Sequence, residues 1–134
     1  METTDNLGIA DYEPVRASNF LVELDGFDPL AVASLALPTV SSMIYASRGS
    51  AILTFRDFVD LPDVAQLALE WLKTAEQRIM KVSQFRCEMV PLRQTFYTVA
   101  PLSVDLPTLD VENDSPALVS IHLNVTEIKF SNID

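Results

Sequence analysis

One histidine, one cysteine and three glycines are all that the 134 residues supply of the types most chemistry depends on. With Cys87 alone there is no internal disulfide and no multi-cysteine metal cluster, and with His122 alone the usual zinc ligand sets are excluded. A Ser-His-Asp or Cys-His device would have to use His122, which falls on the polar face of a regular alternation. Catalysis needs several convergent partners, so a solvated or interface histidine is the plainer reading. Gly8, Gly26 and Gly49 are far apart, and none belongs to a phosphate-cradling loop or a dinucleotide fingerprint. Cys87 alternates with Phe85 and Met89 and reads as a small apolar residue on the inner face of a strand.

Basic residues are also scarce. Nine Lys and Arg face nineteen Asp and Glu, giving a formal net charge of -10. Affinity for a phosphate backbone needs clustered cations, and here they are scattered, which argues against nucleic-acid binding in the ordinary sense. No run approaches the roughly 20 apolar residues of a membrane-spanning helix. The start, Met1-Glu2-Thr3-Thr4-Asp5-Asn6, carries acids where a signal peptide carries a basic region, so the expectation is an intracellular, soluble product. Two acidic pairs, Asp57/Asp60 and Glu112/Asp114, could hold a hard cation or work as a carboxylate dyad. Both stand beside proline and turn residues, which capping and turn formation explain more simply.

What is abundant is apolar material, 49% of the chain, enough for one compact domain of this length. Residues 1–18 show no sustained period and read as an N-terminal arm preceding a single domain over 19–134. Phe20, Val22 and Leu24 alternate toward the turn signal Asp25-Gly26. The apolar run Leu30–Leu37 follows, so the two segments are expected to form a β-hairpin ended by Pro38. Residues 39–50 are rich in serine and small residues and predict an extended loop or projecting β-arm. Residues 51–58 return to strand character.

A helix is expected next, with Asp60 as N-cap, Pro62 in the first turn, and Val64, Ala68, Trp71 and Leu72 forming the helix-sheet core. Arg78 is placed near its C-terminal end. Further strands are expected at 82–90, stopped by Pro91, and at 95–100, closed by Pro101. A connection with a short strand near Leu109 should follow. The last strand runs 117–130, with Val119, Ile121, Leu123 and Val125 on one face. Its phase then slips to Ile128 and Phe130, which predicts a β-bulge near Thr126-Glu127. The layout is mainly β, an α+β arrangement of six to seven strands with one helix.

The order of these elements resembles the tail tube proteins of contractile-tailed bacteriophages. The resemblance is carried by Asn19-Phe20-Leu21-Val22-Glu23-Leu24, by Leu35-Ala36-Leu37-Pro38 before a long loop, by Leu53-Thr54-Phe55-Arg56 leading to a helix with Glu70-Trp71-Leu72, by Phe96 to Pro101 and Leu109-Asp110, and by the closing strand Val119 to Val125. It is one of pattern over roughly 19–130, and the loop carries only Arg48-Gly49 of the family's Gly-rich or Arg-Gly stretch.

The resemblance implies a β-sandwich or partial barrel of antiparallel strands with a flanking helix. It further implies a non-catalytic subunit without cofactors, six to a ring, with rings stacked into a tube inside a contractile sheath. The projecting loop, with Thr39, Ser41, Met43, Ile44, Tyr45, Ser47 and Arg48, would reach a neighbouring subunit. Partners would be other copies, the tail sheath protein, and baseplate and tail terminator proteins. Location would be the virion tail, assembled in the bacterial cytoplasm. DNA would pass without specific binding, and an acidic channel wall would repel its phosphates. Two other readings are a tube or hub subunit of a phage-derived injection or secretion particle carrying protein, and a monomeric β-sandwich that binds a small ligand.

Overall fold

The structure is a computed structural model that describes residues 15–37, 49–86 and 90–132. It holds six strands and one helix: β1 (Phe20–Leu24), β2 (Val32–Ala36), β3 (Gly49–Arg56), α1 (Val64–Thr74), β4 (Arg78–Phe85), β5 (Pro91–Asp105) and β6 (Leu118–Asn132). All pairings are antiparallel, in the order β1-β4-β5-β6-β3-β2, and the sheet curls into a nearly closed barrel.

The two long strands organise everything else. β4 accompanies β5 only as far as the Arg78–Val99 pair, and β3 accompanies β6 only as far as the Gly49–Val125 pair. One half of the β5–β6 ribbon is therefore flanked by β4 and β1, the other by β3 and β2. Register shifts fall where the flanks change over, between Thr98 and Val99 and between Pro101 and Ser103. Thr126 and Leu102 are the extra residues. Each bulge bends its strand and adds right-handed twist, which lets one ribbon serve both halves of a curled sheet. The bulge expected near Thr126-Glu127 is thus present, and Thr126 Oγ1 donates to the Thr98 carbonyl at 3.4 Å.

The core follows from alternation. Val119, Ile121, Leu123 and Val125 are fully buried, and so are Ala51, Leu53 and Phe55 on β3. They join Val22, Leu24, Met80, Val82, Tyr97 and Val99 from the other half in one continuous cluster. Burying a side chain of the Val, Leu or Phe class is worth about 1.5–3 kcal/mol, so this cluster is the dominant stabilising element.

Five expectations are corrected. β1 and β2 are not a hairpin: they occupy opposite edges of the sheet, paired with β4 and β3. The turn signal is real, for Gly26 has φ of 91°, but Phe27 then inserts its ring into the core and stacks on Phe55 at 5.0 Å. A 3₁₀ turn, Pro29–Ala31, capped by Asp28 Oδ1 accepting from the Leu30 amide, carries the chain to the far edge.

The helix is capped by Asp63, whose Oδ1 accepts from Gln66 N at 3.3 Å, so Asp60 and Pro62 precede it. It ends at Thr74, with Ala75 in the left-handed region, and Arg78 opens β4 instead of closing the helix. Pro91 and Pro101 interrupt no strand. Pro91 is the first residue of β5, and Pro101 sits where β4 has already ended and beside a bulge, positions that tolerate a missing N–H. Finally, 106–117 contains no strand near Leu109.

On β4 the buried face is carried by Met80 and Val82, while Phe85 lies past a register shift and is half-buried. Cys87 and Met89, expected on the inner face, lie outside the described residues.

Candidate assembly surfaces

An alternating antiparallel order sends every connection to one of two rims of the barrel. One rim holds the β1–β2 link, the 57–77 segment with α1, and the 106–117 connection. The other holds residues 15–19, Leu37, Gly49, Arg86, Val90 and the end of β6.

The helical rim is closed from inside by aromatic packing. Val64, Ala68 and Trp71 are buried, while Leu72 is half-buried and it is Leu67 that joins the core periphery. Trp71 lies 6.1 Å from Phe27 and donates its Nε1 hydrogen to the Glu76 carbonyl at 2.8 Å. Arg78 stacks on the indole at 4.7 Å, donates through Nη1 to the Asp25 carbonyl at 2.8 Å, and pairs with Glu76 at 3.8 Å. These contacts tie the start of β4 and the β1–β2 link to the helix.

The outer surface of that rim is unlike its interior. The 106–117 connection is held by side chain-to-backbone turns, Glu112 N on Asp110 Oδ1 and Ser115 N on Asn113 Oδ1. It frames a cleft of about 610 Å³ with Leu118 and Ser120. Two apolar residues along it are open to solvent: Leu109 is 85% exposed and Val111 fully exposed, as is Val59 on the turn before the helix. The two turns are joined by Asp57 N on the Ala117 carbonyl at 3.0 Å. Sequence reading passed over Val59 and Val111 and took Leu109 for a strand residue. Their only signal was apolar residues without period among turn formers.

Carboxylates collect on the same rim: Asp25 and Asp28, then Asp57, Asp60 and Asp63, then Glu70 and Glu76, then Asp110, Glu112 and Asp114. Asp28, Asp63 and Asp110 cap turns or the helix. Among the described residues no group of carboxylates, His or Cys has the arrangement of a metal site, and the pairs Asp57/Asp60 and Glu112/Asp114 stand in turns. The strands carry little of this charge. Glu23, Asp105 and Glu127 stand against Arg56, Arg78, Lys81, Arg93 and Lys129, so a negative wall, if formed by strands, is not supplied by their own residues.

The opposite rim, among described residues, is basic and apolar: Arg16, Arg86 and Arg93, with Val90 and Phe130, the last 79% exposed. The inter-subunit loop residues Thr39, Ser41, Met43, Ile44, Tyr45, Ser47 and Arg48 lie outside the described residues, as do residues 1–14 of the arm.

The sheet's outward face was the remaining place for chemistry. His122 Nε2 is 2.8 Å from Asp105 Oδ2, and the Ser120 hydroxyl is 2.9 Å from Thr54 Oγ1. Serine, histidine and aspartate thus share one face, but a relay needs the imidazole between the other two, and Ser120 is bonded elsewhere. These bonds knit β3, β5 and β6.

Free backbone edges complete the inventory. Among the described residues β1 and β2 each pair on one side only, and so does the part of β6 beyond Val125. β1 and β2 face each other across a groove of about 750 Å³ that includes Phe20, Leu35, Leu37 and Tyr97. Lys and Pro, the usual guards of edges, are absent from β1 and β2.

Among solved structures, the chain aligns with the tube terminating cap of the anti-feeding prophage at a TM-score of 0.72 and 15% identity, covering 94% of this chain and 96% of that one. A chain of the PVC sheath-tube complex, from an extracellular contractile injection system in its extended state, aligns at 0.67 and 15%, covering 99% and 100%. The SPP1 tail tube aligns at 0.59 and 12%, covering 90% and 80%. The chain has the tail-tube fold. No protein-family model matches it, and no curated protein does. In this tail-tube fold the described elements named from sequence keep their order, two strands, a third strand, the helix and the closing strands, while their pairing is the curled sheet described above.

Proposed function

We propose that the chain is a non-catalytic structural subunit of a tube, forming rings, six copies each, that stack into a channel inside a contractile sheath. The observation that carries this reading is the combination of a tail-tube fold over nearly the whole chain with unpaired strand edges and apolar side chains exposed at both rims. An isolated acidic monomer gains nothing from an exposed Phe130 beside an unpaired strand edge. A neighbour's strand covers both, and edge pairing around a closed rotation makes a ring. The loop with Met43, Ile44 and Tyr45 then serves contact between copies, residues 1–18 act as an arm, and sheath, baseplate and terminator proteins are the partners. The site of action is the tail of a phage virion, assembled in the bacterial cytoplasm, with DNA as the cargo.

A second reading is favoured by a specific observation. The anti-feeding prophage cap and the PVC sheath/tube terminator, at TM-scores of 0.72 and 0.69, come from injection particles. On that reading the channel carries protein, or the chain terminates a tube.

Negative-stain microscopy of the purified protein tests the tube reading. Rings or tubes of uniform bore are expected, and a strictly monomeric protein at high concentration would refute it. Deleting residues 41–47 should leave a folded subunit that fails to stack, and normal tubes from that variant would remove the loop from the assembly.

A further inference from the structure

We propose that residues 1–14 of the same chain seat as an added strand in the groove between β1 and β2, covering the two free edges and closing the barrel of the unassembled subunit. The seating stands apart from the tube reading. Only its consequence for assembly rests on that reading.

The groove calls for backbone as well as apolar side chains. The Phe85 amide donates to the Asn19 carbonyl at 3.0 Å, and the ladder continues with Leu21 opposite Ser83 and Glu23 opposite Lys81. Antiparallel pairs alternate, so Leu21 and Glu23 bond to β4, while the N–H and C=O of Phe20 and Val22 point away from it toward the groove. Val22 is only 2% exposed, and among the described residues no strand lies beside it on that side. Buried backbone groups are nearly always paired, and an added strand supplies donors and acceptors at the required spacing. Phe20, Val22, Leu35, Val82 and Tyr97 line the same space of about 750 Å³, so the occupant needs one apolar side.

The N-terminal segment meets both demands. The Arg16 carbonyl accepts from the Asn19 amide at 3.1 Å, a turn at the rim, and Ala17 and Ser18 line the groove, so the segment begins at its mouth. The five residues of β1 span about 17 Å, whereas 14 extended residues reach about 46 Å. Leu7 and Ile9 alternate around Gly8 and give one apolar side. Asp11 and Glu13, nearer the fold, are the residues that meet Arg16 and Arg93 of the basic rim. Residues 38–48, by contrast, are tied at both ends to β2 and β3, which pair on the side of β2 away from the groove. A strand seated in the groove denies both edges to other chains, so a copy that pairs through them must first displace it.

NMR spectroscopy of the full chain, at concentrations where it is monomeric, tests the seating. Nuclear Overhauser contacts from Leu7 and Ile9 to Val22 or Leu35 are expected. The Phe20 and Val22 amides should exchange at least about tenfold more slowly than in a chain with Leu7→Asp and Ile9→Asp. Leu21 and Glu23 should stay protected by β4 in both, which reports an intact fold. A chain lacking residues 1–14 should lose protection at the same two amides, and a synthetic peptide of residues 1–14 should restore it. If a variant unfolds, the contacts in the full chain decide. Absence of those contacts overturns the proposal, as does exchange at Phe20 and Val22 that the substitutions leave unchanged. Protection that rises with protein concentration assigns the groove to a second copy and overturns it too. All three results leave the tube reading intact, whereas a failure to form rings under every condition refutes the tube reading and leaves the seating in place.

Discussion

Replacing Trp71 by alanine puts the joint between helix and barrel to a quantitative test. The indole is 1% exposed, and it meets Phe27, the Arg78 guanidinium and, through Nε1, the Glu76 carbonyl. Truncating a buried tryptophan to alanine costs about 3–5 kcal/mol in lost transfer energy and cavity formation. Within that total the N–H to carbonyl bond is worth about 1 kcal/mol and the stacked cation about 0.5–2 kcal/mol. With a urea dependence of about 2 kcal/mol per M, the unfolding midpoint should fall by about 1.5–2.5 M. Against a total of about 5–15 kcal/mol, a domain at the low end would be largely unfolded. The measurement belongs at protein concentrations where the wild type is monomeric, since assembly adds stability by mass action. Trp71→Phe should recover much of the loss, and a double-mutant cycle with Arg78→Met isolates the stacking contribution. A midpoint shift below about 0.5 M for Trp71→Ala would mean that the helix is not seated through this residue, and the packing argument fails.

Gly26 sits at φ of 91°, and an added Cβ would come 3.2 Å from Arg78 Nη1, so Gly26→Ala should destabilise by about 1–2 kcal/mol in the same assay, and an unchanged midpoint would refute the strain. Burial pushes the Tyr97 phenol above its usual value near 10.0, partly offset by its hydrogen bond with Thr95. The stability this represents is full below the unfolded value and is lost as pH rises through the folded one, because ionisation is easier in the unfolded chain. Tyr97→Phe should therefore flatten the alkaline limb of a stability-pH curve without shifting the acid limb, and an identical alkaline limb would refute it.

The features legible in the sequence are those made by near neighbours. The face Val119, Ile121, Leu123 and Val125 and the slip at Thr126 follow from a period of two, and the helical spacing of Val64, Ala68 and Trp71 from a period of 3.6. Scarcity was equally readable: one His and one Cys exclude whole classes of site whatever the fold. Pairing was not readable, because it joins residues far apart in sequence. Asp25-Gly26 does make a turn, yet nothing local tells that Phe27 is wanted in the core beside Phe55 and that β2 must cross to the other edge. Pro101 breaks a strand in any local reading and is harmless only because β4 ends two residues earlier along the ladder.

The same division holds for the assembly surfaces. The sequence alone determined the net charge of -10, and could place it anywhere. Only the tertiary structure decided that most of the described carboxylates gather at one rim while the strands lean basic, because the antiparallel order collects the Asp-rich connections together at one end. A periodic pattern records which face of an element is apolar. Which elements share an end of the barrel is a property of the closed sheet.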